Sequence, residues 1–206
     1  MDVIVSYNFY EDYLNNEFDL KMKKRISYLK DNYKIKNISE NDFLKEYFVE
    51  LFSWSVIPKN ILNSISDYIN YYKLNGIIDP CCGNGFHSYL FKNYCDLNTF
   101  TVDIQDEPNS WLPITEKDGR VFLSELELKY HSSSALLLSW IDYESLTIDL
   151  LNNYHGNMVI SLGNYEKLSP NYLKLLNTNF KLLNSFNLKM PWGLNEKIEV
   201  YVKNNI

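Results

Sequence analysis

Residues 77–86 read Ile77-Ile78-Asp79-Pro80-Cys81-Cys82-Gly83-Asn84-Gly85-Phe86, the most informative stretch of the chain. A short apolar run, opened by Gly76, ends in an acid. A tight turn with two glycines follows, and then a helical pattern through Tyr94 with Tyr89, Leu90 and Tyr94 inward. The run is continuous, as a strand covered on both faces of a parallel sheet requires. Gly83 and Gly85 lack a Cβ, so positive φ is accessible and a ligand can approach the backbone closely. The helix behind them presents unpaired N–H groups and the positive end of its dipole, a seat for an anion such as a carboxylate or a pyrophosphate. In open α/β sheets such turns lie at the carboxyl edge of the strands, where ligands bind.

Downstream the same rhythm repeats. Thr99 to Ile104 reads as a second strand that places Asp103 at its end, positioned to accept hydrogen bonds from ribose hydroxyls. Glycine turn and second acid together point to a nucleoside-containing cofactor. Gln105 to Gly119 is loop-rich, with Pro108 and Pro113, and Arg120 to Leu123 reads as a short third strand. Ala135-Leu136-Leu137-Leu138-Ser139-Trp140 is a central strand, Glu144 to Tyr154 a helix, and Asn157 to Leu162 the next strand. Ser169 caps a further helix. Phe180–Lys189 and Glu196–Lys203 alternate in period two around Pro191-Trp192-Gly193, an antiparallel pair. Upstream, Pro58 opens a helix with Ile61, Leu62, Ile65, Ile69 and Tyr72 on one face, and Ser39 to Phe52 carries a capping-box-like start and one apolar stripe. The expected fold is α/β: a twisted, mostly parallel sheet with an antiparallel C-terminal strand and helices on both faces. The expected division is an N-terminal helical extension, residues 1–50, and a ligand-binding domain, residues 51–206.

Composition sets the outer limits. The chain has 206 residues, 46% hydrophobic and 22% charged, enough apolar content to order a core and too much for a disordered chain. A net charge of −6 excludes a strongly basic nucleic-acid coat. One local patch stands out, seven basic residues between Lys21 and Lys36 against the single acid Asp31. It reads as a solvated helix face or as a nucleic-acid contact with Tyr28 and Tyr33 interleaved. Three cysteines, Cys81, Cys82 and Cys95, make a poor disulfide framework, and no His cluster accompanies them for a metal. Met1 to Tyr13 lacks the pattern of a secretion signal, and no apolar stretch approaches the roughly 20 residues of a membrane span. A cytoplasmic protein is expected, without membrane association.

The acid before the glycines narrows the cofactor. A carboxylate there would repel a pyrophosphate, and Ser88 stands where a dinucleotide turn has its third glycine, which disfavours a nicotinamide dehydrogenase. It suits a cation such as the amino group of a methionyl tail. The segment resembles motif I of the class I S-adenosylmethionine-dependent methyltransferases, and its Asp-Pro-x-Cys-Gly-x-Gly form is like that of methyltransferases acting on nucleobase nitrogens. The resemblance runs from about Phe52 to the C-terminus. It implies a Rossmann-like transferase that holds S-adenosylmethionine (SAM) at Asp79, Cys81, Gly83, Gly85 and the ribose-binding Asp103, with Ile104 beside the adenine. Phe52-Ser53-Trp54-Ser55, Trp111, His131 and Leu136 to Tyr143 look more narrowly like a methyltransferase-like family of lower eukaryotes and large viruses.

In that family the fourth-strand motif reads Trp-Pro-Pro-Tyr, and here it reads Trp140-Ile141-Asp142-Tyr143. The prolines that fix the turn are gone. Ser139 remains as an acceptor near the cofactor, Trp140 as a substrate-stacking aromatic, and Asp142 with Tyr143 as the catalytic candidates. Asp142 is a base for an alcohol or amide acceptor. Trp54 belongs to a segment that closes over the cofactor or simply leads into a helix. A catalytically inactive binding or regulatory protein, with a protein partner, is the alternative. Plainer readings stand beside these: Asp79 as a helix cap, Asp103 as a solvated loop acid, Cys81 and Cys82 as small buried fillers, and His87 and His131 as packing residues.

Overall fold

The computed structural model describes residue 49, which is helical, and residues 52–106, 110–189 and 195–204. The rest of the expected N-terminal extension, the Lys21–Lys36 run and the Pro191-Trp192-Gly193 turn lie outside the described residues. In chain order the described elements are α1 (Lys59–Tyr71), β1 (Gly76–Asp79), α2 (Phe86–Cys95), β2 (Asn98–Asp103), β3 (Thr115–Glu116), α3 (Gly119–Glu125), α4 (Leu128–Ser133), β4 (Ser134–Ser139), α5 (Glu144–Asn153), β5 (Met158–Asn164), α6 (Pro170–Asn179), β6 (Phe180–Lys189) and β7 (Asn195–Lys203).

The strands form one sheet in the order β3-β2-β1-β4-β5-β7-β6. The pairs β3·β2, β2·β1, β1·β4 and β4·β5 are parallel. β7 inserts antiparallel between β5 and β6, and the β6·β7 ladder slips its register between Leu182 and Asn184. The sheet is mostly parallel with an antiparallel C-terminal strand, as expected. From β1 the chain first builds outward through β2 and β3, then crosses to β4 on the other side. The crevice between the carboxyl ends of β1 and β4 is therefore a topological switch point.

Period two along the strands divides the core between the two faces. Ile77, Ala135, Leu137, Met158 and Ile160 pack with the buried side chains of α1 and α2. Ile78, Leu136, Leu138 and Val159 pack with α5 and α6. By the same alternation Asp79 and Ser139 fall on the α2 side. In α1 the buried residues are Ile61, Leu62, Ile65 and Ile69, each contributing about 2 kcal/mol on burial. Pro58 takes the cap position of that helix, its carbonyl accepting the Leu62 N–H at 2.8 Å. Ser169 caps α6 as expected, its hydroxyl accepting from the N–H groups of Asn171 and Tyr172.

One expected strand is a helix. Arg120 to Leu123 lies inside α3, because Asp118 caps it by accepting the Arg120 N–H at 2.8 Å. Val121-Phe122-Leu123 imitates a buried strand, yet Leu123 is buried and Val121 is exposed, the one-sided pattern of a surface helix. The true third strand is the two-residue β3, which pairs Thr115 with Val102 and Glu116 with Asp103. Among the described residues no helix is long and apolar enough to cross a membrane.

Candidate functional site

The carboxyl edge of the sheet is built around the turn after β1. Cys82 N–H donates to the Val102 carbonyl at 3.0 Å and Gly85 N–H to the Cys82 carbonyl at 2.9 Å, which ties the turn to β2. Gly83 and Gly85 both have positive φ, +53° and +76°. Gly85 is the left-handed residue from which α2 starts, and the Asn84 side chain accepts the Phe86 N–H at 3.1 Å. A Cβ built on Gly83 would meet nothing within 4 Å. The turn's outer surface is thus open to a ligand at the point where the sequence removes a side chain.

Asp79 closes the strand below this turn and is 2% exposed. Ser88, one turn into α2, donates its hydroxyl to Asp79 Oδ2 at 2.7 Å. Asp79 Oδ1 is buried without a hydrogen-bond partner. A buried acceptor left open normally costs stability. Burial pushes the Asp79 carboxyl up to about 7, against the Ser88 hydrogen bond that lowers it, and the nearby Asp103 charge raises it further. Asp103 stands across the turn: its Oδ2 accepts the Gly83 N–H at 2.8 Å and its Oδ1 the Ile104 N–H at 2.7 Å. Each oxygen keeps a second acceptor position, which suits a vicinal diol. Ile104 is 76% exposed beside it. Cys81 packs against the α5/α6 core, and burial together with the Asp103 and Asp79 charges pushes its thiol up to about 12. Burial raises the Cys82 thiol as well. Both are half-buried thiols, and neither is a thiolate nucleophile.

The end of β4 is held by a second network. His87 is buried and joins two elements, its Nε2 2.8 Å from the Ser55 carbonyl and its Nδ1 2.9 Å from Ser139 Oγ. Trp140 has φ of +54°, an unusual conformation for a bulky residue. It is pinned there by its N–H to the Leu162 carbonyl at 2.9 Å and by Nε1–H to Ser55 Oγ at 3.0 Å. Its ring packs against the half-exposed Trp54 with centroids 5.5 Å apart. The turn after β4 is held by hydrogen bonds from Trp140, in a conformation that costs of order 1–3 kcal/mol repaid elsewhere.

These residues fall into two groups. Asp79, Cys81, Gly83, Gly85, Asp103 and Ile104 surround one turn, and Trp54, Ser139 and Trp140 meet through Ser55 and His87. Trp140 and Asp142 also line a solvent-open cleft together with Glu144, Asn164 and Lys167. None of the residues of the glycine turn lines that cleft. Tyr143 heads α5, its carbonyl accepting the Thr147 N–H and hydroxyl while its side chain is 75% exposed. Ser55 falls in the segment expected to close over the cofactor, whereas His87 reads in sequence as a packing residue and Ser88 as outside the site. For Ser88 a signal existed: a hydroxyl in the first turn of the helix that follows a strand-ending acid. His131 is a packing residue as the plainer reading has it, its Nε2 on the Leu123 carbonyl and its Nδ1 accepting the His155 N–H.

No known protein family and no curated protein matches this sequence. Solved structures do match the fold. The chain is similar to magnesium protoporphyrin IX methyltransferase of Synechocystis PCC 6803 with bound SAM, with a TM-score of 0.54 at 11% identity over 99% of this chain and 98% of that one. The same enzyme with bound SAH gives 0.53 at 9% identity, over 96% and 99%. TrmN from Thermus thermophilus gives 0.53 at 14% identity, over 78% of this chain and 53% of that one. The fold is the Rossmann-like methyltransferase fold. A fold hosts many chemistries, so function rests on the site.

Proposed function

We propose that the protein is a SAM-dependent methyltransferase. The observation that carries this reading is the buried, half-partnered Asp79 carboxylate beneath an open glycine turn, with Asp103 opposite. Asp79 Oδ1 fits an ammonium group, the bare surface of Gly83 fits an amino-acid tail lying against the backbone, and the Asp103 oxygens fit ribose hydroxyls. Ile104 would cover the adenine, and Cys81, Gly85, Trp54 and Ser139 complete the surroundings. The neighbours with bound SAM and SAH share this fold and support the choice of cofactor.

When bound, SAM supplies a methyl group on a sulfonium, already activated for attack by a nucleophile. The chain's own part is alignment, which can account for most of the barrier reduction in such a transfer. Trp140 and Trp54 offer flat apolar surface at the end of β4 for a ring-bearing acceptor. We take Asp142, exposed three residues past Ser139, as the base for an alcohol or amide acceptor, with Tyr143 beside it. A nucleobase or RNA amine, by the likeness of the Asp79–Gly85 segment, or a small molecule is the favoured acceptor. The test is calorimetric and thermal titration with S-adenosylhomocysteine (SAH), followed by methyl-incorporation assays on nucleobase-containing substrates. Binding of SAH with a rise in melting temperature is expected. Absence of both heat and thermal shift would remove the proposal.

A further inference from the structure

We propose that the segment Phe52–Ser55 is a latch that sets the aim of Asp142. Ser55 and Trp54 are positioning residues that hold Trp140 in its left-handed conformation, and Trp140 directs the turn that carries Asp142. This rests on the methyltransferase reading above, where Asp142 is the proposed base, and it adds the element that regulates that half of the site. A tryptophan at φ of +54° keeps that conformation only where its surroundings over-determine it. Three contacts do so. The sheet supplies one, the Leu162 carbonyl that accepts the Trp140 N–H at 2.9 Å. The latch supplies the other two: Ser55 Oγ accepts the indole Nε1–H at 3.0 Å, and the Trp54 ring lies 5.5 Å from the indole at an angle of 31°.

The latch is fixed at its ends and acts in its middle. Phe52 is buried and packs on Phe86 and Trp111, with ring centroids 5.6 and 5.5 Å away. Val56 and Ile57 are buried in the same core. The Ser55 carbonyl faces His87 Nε2 at 2.8 Å, on the helix behind the glycine turn, so the Ser55 backbone is held independently of its hydroxyl. Between these anchors Trp54 is exposed, and its partner Trp140 is half-buried. The indole contact therefore lies near the surface, where it can break without unfolding the core. Residues 141–143 lie outside any helix or strand before α5 begins at Glu144. A change of φ at Trp140 therefore re-aims the Asp142 carboxylate in the cleft that both residues line. Release of the indole lets φ return to the negative region that L residues favour. Opening has a cost, because Ser55 is fully buried and its hydroxyl then loses the indole as a partner. The latched state is accordingly the major one.

The latch is read on the full chain without any ligand, so its failure is distinct from a failure of SAH to bind, which defeats only the methyltransferase reading. Circular dichroism of the unmutated chain should show an indole–indole exciton couplet that Trp54→Phe removes. NMR should show the Trp140 indole N–H protected from exchange with solvent. Ser55→Ala keeps the carbonyl to His87 and removes only the hydroxyl. It should speed that exchange about tenfold, as the loss of one neutral hydrogen bond implies. It should also displace the backbone amide resonances of residues 140–143 while those of Gly83 and Asp103 stay in place, with SAH affinity unchanged. Ser55→Thr, which restores the hydroxyl, should restore the parent spectrum. Trp54→Ala, at the exposed part of the latch, should displace the same amides and carries the test if Ser55→Ala fails to fold. A parent chain without the couplet, or with a Trp140 indole that exchanges as fast as free tryptophan, would overturn the proposal. So would amides of residues 140–143 that stay in place in both variants, or a displacement that reaches Gly83 and Asp103 equally, the mark of a merely structural role.

Discussion

Asp79 and His87 are buried neutral groups with opposite pH signatures. Asp79 keeps its proton in the fold to about pH 7, while an exposed aspartate loses it near 3.8. Between these values the unfolded chain binds fewer protons, so the Asp79 contribution to stability falls as pH rises, by about 4 kcal/mol in total. His87 is neutral in the fold down to about pH 4, while an exposed histidine protonates near 6.5. Its contribution is complete above pH 6.5 and is lost as pH falls to 4, by about 3 kcal/mol. The two slopes oppose each other across that window. Asp79→Asn removes one of them, so urea denaturation of the variant should show stability dropping more steeply than in the parent as pH falls from 6.5 to 4. Parallel pH profiles for the two proteins would contradict the burial argument. Ser88→Ala should weaken SAH binding roughly tenfold, since one charge-assisted hydrogen bond is worth about 1.5–3 kcal/mol and part is recovered by water. Of these residues, Asp79 and Asp103 were legible because strand, acid, glycine turn and second acid form a linear pattern. His87, Ser55 and Ser139 meet only through the fold, from positions far apart in the chain.

At the scale of elements, the glycine turn and the helix caps give separable tests. Gly83→Ala meets no neighbour, so its folding cost is the positive φ alone, about 1–2 kcal/mol. Its methyl would stand in the ligand's place, so SAH affinity should fall by more than stability does, as calorimetry beside denaturation would reveal. Ser169→Ala removes the α6 cap and should cost about 1 kcal/mol in chemical denaturation with SAH affinity unchanged. The elements most readable in sequence were those with buried apolar runs, such as β1 and β4, or an obvious cap, such as α6. α3 misled because three consecutive apolar residues carry no period, and the Asp118 cap was the deciding feature. β3 is two exposed residues held only by pairing to β2, so no pattern announced it. The turn after β4 carries no proline, and the positive φ and hydrogen bonds that hold Trp140 there depend on Leu162 and Ser55, distant in the chain.

For the whole molecule, strand order matters more than any single strand. It was not readable from the chain, since pairing between β1 and β4 depends on contacts some sixty residues apart. That order puts Asp79 and Ser139 on neighbouring strands at the switch point, which makes one ligand edge from two motifs. A ligand that binds only the folded state stabilises it by mass action. SAH at one hundred times its dissociation constant should add about 2.7 kcal/mol and raise the melting temperature by roughly 5–10 °C. The most direct test of the Asp79 carboxylate as an ammonium partner is calorimetric titration of SAH at pH 6.5 in two buffers of different ionisation enthalpy. Asp79 must give up its proton to receive the ammonium, so the titration should release a substantial fraction of one proton per bound ligand, and Asp79→Asn should abolish that release. Binding with no difference between the buffers, or no heat of binding at all, would contradict it.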